Sequence, residues 1–577
     1  MNYKSAFLVS SLLGLGTVVH GQTSNNNQFW VEGYGRAIVT SNNLKAEAAD
    51  NKTSTNTVYG YTLFDLSNNL RTKNLWANAI LRGYSPFGGF FGTGTVFNFR
   101  QFQLGGNIGK AVSYELGDIN VGEGMSHYSV NNFDDLYSRF ESPLLSQRKD
   151  ILLYENFNFG NLWRLQGVQS RAKFKVGDLI DTVSLYGFAA RTNATDDRTV
   201  ADRILSGGRV GIDVLKYLNV GGNYVALLDV PINTATMKYR NEILSGNAKL
   251  NMPIGNDIFV HAGTDLGMSS YTNTNSVTNV SVSYKDYYYE GLAGITYKPI
   301  KLKFTATYRE VGPQFSSPTA QTRRVNNVAG TQLFSQIAGV ARSQSLFDRY
   351  TQENMYNRVI LPTLQEFNPI YSNIHPYGVA TPNRRGFILG LKTDTSAKII
   401  DAEFVFENHS EVVGEGVTDP RVFTGIRAGM SFNLGRFIAS ERNFIFQGGY
   451  RAENTTRAGE NESGKAGFTL KSTIIDAGVS LEVVKKVDLL AGAKQLVASG
   501  SEFISKRDEF NEFLTTELPV KRTYDVKDMV YSVGARYRIN NTSHLTFNYN
   551  VSDYEDMLTK TRNNTISQYF LNFTMKL

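Results

Sequence analysis

The feature that narrows this chain most is the rhythm of its connections. Strand-like segments of roughly ten to thirteen residues, the length a tilted membrane-crossing strand requires, recur about 22 times along it. Short and long connections alternate between them. The short ones include Leu215 to Tyr217, Lys298 to Ile300, Lys485 to Lys486 and Ile539 to Ser543. The long ones include Thr40 to Thr57, Gly122 to Gly160, Tyr271 to Tyr284, Gly312 to Arg384, Asn454 to Gly467, Gly500 to Val526 and Asp553 to Asn564. A soluble sandwich has no reason to keep this parity. A membrane barrel does, because its turns are tight on one side of the bilayer and its loops long on the other.

Within the segments the side chains alternate with a period of two. Leu302, Phe304, Ala306 and Tyr308 interleave with Lys303, Thr305, Thr307 and Arg309; Ile426, Ala428, Met430 and Phe432 interleave with Arg427, Gly429, Ser431 and Asn433. The same holds for Tyr531, Val533, Ala535 and Tyr537 against Ser532, Gly534, Arg536 and Arg538, and for Leu545, Phe547, Tyr549 and Val551 against their polar neighbours. One face suits lipid and the other water. A charge at the lipid midplane costs about 2–4 kcal/mol, so the arginines are expected to point inward. Phe87 to Thr95 is too glycine-rich to place, and Leu179 to Arg191 shows no clean alternation, so 20 strands is the competing count.

The two ends fit the same architecture. Met1 to Gly21 reads as a signal peptide: Lys4 precedes an apolar stretch, Ala6 to Val19, too short for a finished membrane helix, and Val19 and Gly21 occupy small-residue cleavage positions. Residues 22–577 then form a single domain, since no repeat of solenoid period and no Pro/Ser linker interrupts them. The first strand is expected at Phe29 to Val39 and the last at Thr565 to Leu577, where Tyr569, Leu571, Phe573, Met575 and Leu577 share one face and Phe570 breaks the pattern on the other. A bare amphipathic edge invites aggregation, so the last strand is expected to close the barrel against the first, with Tyr569, Phe573 and Leu577 on its outer face.

Composition excludes several classes. There is no cysteine, hence no disulfide, thiolate metal site or lipid-anchored cysteine, and no second apolar run approaches the ~20 residues of a membrane helix. Thirty-one Tyr, 36 Phe and 52 Gly fit barrel strands with aromatic girdles. The net charge of +7 is modest over 577 residues and lacks a basic stripe with stacking platforms, so nucleic acid is excluded as a partner.

Over its whole mature length the chain therefore resembles the Gram-negative outer-membrane β-barrel superfamily. The resemblance implies an all-β, antiparallel, up-and-down transmembrane barrel of about 22 strands in the cell outer membrane, with long extracellular loops carrying short helices. It also implies bilayer lipid and the barrel-insertion machinery as partners. The insertion signal of that group usually ends in Phe or Trp, whereas this chain ends in Leu577. In size the chain is similar to TonB-dependent receptors, but only about seven expected mature residues precede Phe29, too few for a plug domain.

Two loops are candidates for filling the lumen. In the loop at 122–160, Phe133, Leu136, Tyr137 and Phe140 follow helical spacing after Asn132, either as a constriction or docking helix or as a helix packed on the rim. The loop at 312–384 carries apolar groups at helical spacing and the basic residues Arg342, Arg349 and Arg358. It is expected to fold either down into the lumen or outward as a cap that binds a protein partner. The lumen charges Arg309, Arg427, Arg451, Lys494, Arg536 and Arg538 face Glu403, Glu407 and Asp476, a set that suits either solute selectivity or inward bracing.

No catalytic motif emerges. Asp265 follows His261 by four residues and His409 follows Glu407 by two, but no nucleophile stands at a defined spacing, and no H-E-x-x-H, G-x-S-x-G, P-loop or EF-hand pattern occurs. The expectation is a porin-like or transport channel narrowed by its long loops, with no enzyme activity, no cofactor and no metal. The alternative is a structural or accessory subunit of an outer-membrane assembly, secretion or surface complex.

Overall fold

A backbone that crosses hydrocarbon must satisfy its own N–H and C=O groups. This chain does so by pairing each strand antiparallel with the next and the last with the first. The computed structural model describes residues 27–47, 52–87, 94–130, 163–193, 202–230, 237–320, 369–370, 372–393, 399–414, 419–459, 467–504 and 519–577.

The strands begin with β1 (Gln28–Glu47), β2 (Lys52–Arg71), β3 (Leu75–Pro86), β4 (Val96–Ile108), β5 (Val112–Val121), β6 (Trp163–Lys175) and β7 (Ile180–Asn193). They continue with β8 (Arg203–Val214), β9 (Leu218–Asp229), β10 (Met237–Ile254), β11 (Ile258–Asn275), β12 (Val280–Tyr297), β13 (Leu302–Val311), β14 (Arg384–Thr393) and β15 (Ile400–Ser410). The last are β16 (Val422–Asn433), β17 (Phe444–Arg457), β18 (Phe468–Val484), β19 (Val487–Ile504), β20 (Val520–Arg538), β21 (His544–Asp556) and β22 (Asn564–Lys576). The described residues thus form one 22-stranded sheet, the larger of the two expected counts.

Closure occurs where expected. Strand β22 runs antiparallel to β1, with Phe573 opposite Ala37 and Tyr569 opposite Ser41. The Leu577 N–H donates to the Gly33 carbonyl at 2.7 Å. Gly33 lets the Leu577 side chain lie close over the backbone, since a Cβ there would come within 2.9 Å of Leu577 Cδ1.

The longest connections, between β5 and β6, β13 and β14, and β19 and β20, all follow odd-numbered strands, and those after even-numbered strands are short apart from the helical turn between β16 and β17, which puts the tight turns on the periplasmic side of an outer-membrane barrel. Three expected loops are shorter than the sequence implied. Strands β1 and β2 remain paired out to Glu47 and Lys52, so most of Thr40 to Thr57 is strand. Strands β11 and β12 pair to Asn275 and Val280, and β19 and β20 pair to Ile504 and Val520. Beyond the bilayer both faces of a hairpin meet water, so pairing continues after the apolar–polar alternation that marks a strand has ended. The segment without clean alternation, Leu179 to Arg191, lies largely in β7, whose register shifts twice against β8.

The alternation sorts as expected. Tyr531, Val533, Tyr537, Leu545, Phe547, Tyr569 and Leu571 are exposed on the outer face, while Ser532, Thr546, Asn548, Asn550, Ser552, Gln568 and Asn572 are buried on the inner one. Phe570 is no anomaly, because it faces inward and packs with Ile38, Tyr61, Ile370 and Leu496 in an apolar patch on the lumen wall.

Candidate functional site

Three described loop stretches, residues 122–130, 312–320 and 369–383 apart from 371, fold back into the barrel and bond to its inner wall. The first two join on one side. Tyr128 is fully buried, stacks on Tyr288 at 4.0 Å between ring centroids, and donates its Oη to Glu290 at 2.7 Å. Burial pushes the Tyr128 phenol well above its ordinary pKa, so it stays a protonated donor. Tyr288 donates to Asp265 at 2.7 Å, and Phe315 meets both tyrosine rings edge-on. The Asn241 side-chain N–H donates to the Ser316 carbonyl at 2.9 Å, and Thr319 Oγ1 donates to the Ser129 carbonyl, tying the two loops to β10 and to each other.

The third stretch packs Ala380 and Val379 against the Tyr128, Tyr288 and Phe315 cluster and runs on along the wall formed by β15 to β19. The Asn373 backbone N–H donates to Glu453 at 2.7 Å, and its side-chain N–H donates to Glu502 at 2.6 Å. Arg421 pairs with Glu411 at 2.5 Å and Glu502 at 3.2 Å, and Ser472 donates to the Ile370 carbonyl. Arg384 donates to the Ile374 and Asn373 carbonyls and lies 3.9 Å above the Phe423 ring. Each contact satisfies a polar group that would otherwise be buried unpaired.

The lumen charges named from sequence all lie on the inner face, and most are held by acids. Arg309 pairs with Glu290 at 2.9 Å, Arg451 with Glu453 at 2.9 Å, and Lys494 with Asp476 at 3.7 Å. Arg536 approaches Asp488 at 3.5 Å, Arg538 bridges Glu482 and Asp488 at 2.6 and 3.0 Å, and Arg427 lies 3.9 Å from Glu407. Glu403 stands opposite Lys392 across β14 and β15. The loop residues Phe133, Tyr137, Phe140, Arg342, Arg349 and Arg358 lie outside the described residues.

One lumen cation is held differently. Arg209 on β8 donates to Asn219, Asn223 and Asn247 at 2.8, 3.1 and 3.0 Å, and among the described residues no carboxylate stands at ion-pair distance from it. It lies flat over Gly221, where a Cβ would come within 2.4 Å of Nη2. Amide oxygens fix the guanidinium, while Asp213, bonded to Asn219, and Asp265 act on it from beyond ion-pair distance. Nearby, a cavity of about 220 Å³ opens under the first loop, lined by Met125, His127, Lys249, His261, Asp265 and Lys303. The His261–Asp265 spacing does not bring that pair together as a unit: His261 bonds Asn251 and Thr296, while Asp265 accepts from Tyr288. The Glu407–His409 spacing does form a cluster, because His375 joins it from the third loop stretch, with 2.9 Å between His375 Nε2 and Glu407.

Sequence reading missed Arg209, Tyr128, His375 and Glu502. The parity that placed Lys494 inward also places Glu502, four inward positions further along β19. His375 and Tyr128 sit in loops, where no period assigns a face.

No family model matches the chain, and no curated protein does. Among solved structures, the chain is similar to OccK2 (OpdF) of Pseudomonas aeruginosa in complex with glucuronate, at 9% identity and a TM-score of 0.36, over 94% of this chain and 98% of that one. It is similar to a BenF-like porin from Pseudomonas fluorescens Pf-5 at 8% identity, TM-score 0.35, over 95% and 99% of the two chains. The Pseudomonas aeruginosa OccK5 (OpdH) structure matches at 8% identity, TM-score 0.34, over 95% and 98%.

Proposed function

We propose that this chain is an outer-membrane solute channel whose lumen is narrowed by inward-folded loops and whose wall favours anionic solutes at Arg209. The observation that carries the reading is a guanidinium on the inner wall bonded only by amide oxygens, in a lumen whose other arginines are largely paired with acids. Solvent also reaches the inner face, since Arg171 and Arg538 keep 31% and 34% of their side-chain surface exposed. Charged lumen side chains of this kind tune solute selectivity in wide barrels. No feature of the described residues favours the accessory-subunit alternative.

Purified protein in planar bilayers tests the proposal. The expected results are ion conductance, a reversal potential under a salt gradient that shows anion preference, and a shift toward cations in Arg209→Gln. Removing residues 321–368 is expected to raise the conductance. A silent barrel overturns the channel reading, and a conducting barrel with an unchanged reversal potential in Arg209→Gln overturns the assigned role of Arg209.

A further inference from the structure

We infer that His375, Glu407 and His409 form a binding site for a divalent transition metal of the zinc class, joining the third inward loop stretch to β15.

The three side chains are buried, and their ligand atoms lie within 4.8 Å of one another. Glu407 and His409 alternate along β15, so both point to the lumen face from one rigid strand, while His375 arrives from the loop. Glu407 Oε2 lies 2.9 Å from His375 Nε2 and 3.5 Å from His409 Nε2. Metal–ligand bonds of about 2.0–2.1 Å in a tetrahedron place neighbouring ligand atoms about 3.3 Å apart, so both separations lie close to a coordinating geometry. The two imidazole nitrogens are borderline donors that favour zinc-class ions over calcium or magnesium, which take oxygen ligands, and a single carboxylate oxygen beside them is a common third ligand of zinc.

Two further observations point to a ligand. His409 is 0% exposed, and among the described residues neither of its ring nitrogens makes a hydrogen bond. A buried imidazole in that state loses the hydration of two polar atoms, and the Glu407 carboxylate 3.5 Å from Nε2 returns only part of it, so coordination would replace the remainder. The wall is also shaped around the cluster. Gly386 stands opposite His409 and Gly425 opposite Glu407. A Cβ on the first would meet the Asn408 carbonyl first and His409 Nδ1 at 2.8 Å, and a Cβ on the second would meet Ile374 Cδ1 at 2.6 Å and Glu407 Cγ at 2.8 Å. Glycine at both cross-strand positions lets the strands and the Ile374 side chain approach and leaves room for the ring and the carboxylate. Arg427 stands 3.9 Å from the other carboxylate oxygen, Oε1, and Arg309 and Arg384 also act on His409. These cations weaken the site, so the expected affinity is micromolar rather than that of a zinc finger.

The test is metal content of the full chain, stripped with EDTA and folded in detergent. Titration with Zn²⁺ is expected to load one equivalent per chain, and Co²⁺ in its place is expected to give the visible absorption of a four- or five-coordinate N/O site. His375→Ala and His409→Ala are each expected to lower zinc affinity at least tenfold, while His544→Ala, at the periplasmic end of β21, binds like the parent. His375→Ala alters a loop residue and leaves every strand intact, and the heat-dependent gel mobility of the barrel checks folding in each variant. Absence of zinc uptake, or uptake equal in the parent and in both His variants, overturns the site. The Co²⁺ spectrum of the unmutated protein decides the matter even where a variant fails to fold. The readout does not use conductance, so a silent barrel leaves the metal site standing and a metal-free conducting barrel leaves the channel standing.

Discussion

Tyr128→Phe isolates the bond that pins the first inward loop. The substitution keeps the ring that stacks on Tyr288 and removes the hydroxyl that donates to Glu290. Glu290 retains Arg309 at 2.9 Å, so the wall itself is left paired. A hydrogen bond to an ionised carboxylate contributes about 1.5–3 kcal/mol, which raises the opening equilibrium of the loop roughly 10- to 150-fold. Tyr128→Ala also removes the stacked ring and leaves a void, a loss of about 3–5 kcal/mol. Hydrogen exchange reads both. The Met125, Ser129 and Val130 N–H groups donate within the loop, to the Gly122 and Ser126 carbonyls at 3.1 Å, and their exchange follows local opening. Faster exchange is expected in residues 122–130, graded from Phe to Ala, with β20 and β21 unchanged as internal reference. Equal protection in the parent and in Tyr128→Phe refutes the pin.

Three other perturbations separate the parts of the structure. Glu502 is 0% exposed and accepts from Asn373 and Arg421, so Glu502→Ala leaves Arg421 partly uncompensated and is expected to destabilise by about 3–5 kcal/mol, measured as a lowered urea midpoint; no shift would show that the network is slack. Phe570→Ala empties the inner apolar patch and is expected to cost about 3–5 kcal/mol in the same assay, whereas a surface residue would cost almost nothing. Leu571→Arg places a charge on the outer face of β22; about 2–4 kcal/mol is expected in liposomes, and a neutral result would mean that this face does not meet hydrocarbon.

The barrel was legible because lipid imposes a rule on every strand: outward residues must be apolar, so Tyr531, Leu545 and Leu571 announce their direction from sequence. The rule lapses outside the bilayer. Thr40 to Thr57 read as a loop because its residues are polar on both faces, although backbone pairing continues to Glu47 and Lys52. Lumen charges follow the same parity, so Arg309, Arg451, Lys494 and the acid Asp476 lie on the inner face that the alternation assigns them. Partnership between distant segments was not. Neither the Tyr128–Glu290 bond nor the approach of His375 to Glu407 follows from any period, because each depends on where a long loop returns to the wall. The asparagines around Arg209 carry no signal by themselves. Their role appears only once β8, β9 and β10 lie side by side.

The patch around Ile370 ties together stretches that the ribosome makes at very different times. Ile38 comes from β1, Tyr61 from β2, Leu470 and Ile474 from β18, and Phe570 from β22, while Ile370 arrives from the connection between β13 and β14. The patch spans the seam between first and last strands, so it exists only after the ring has closed. An open sheet offers Ile370 half a socket. Ile370 can therefore be fully seated only when both ends have met, which couples correct closure of the wall to docking of the inward-folded stretch before β14.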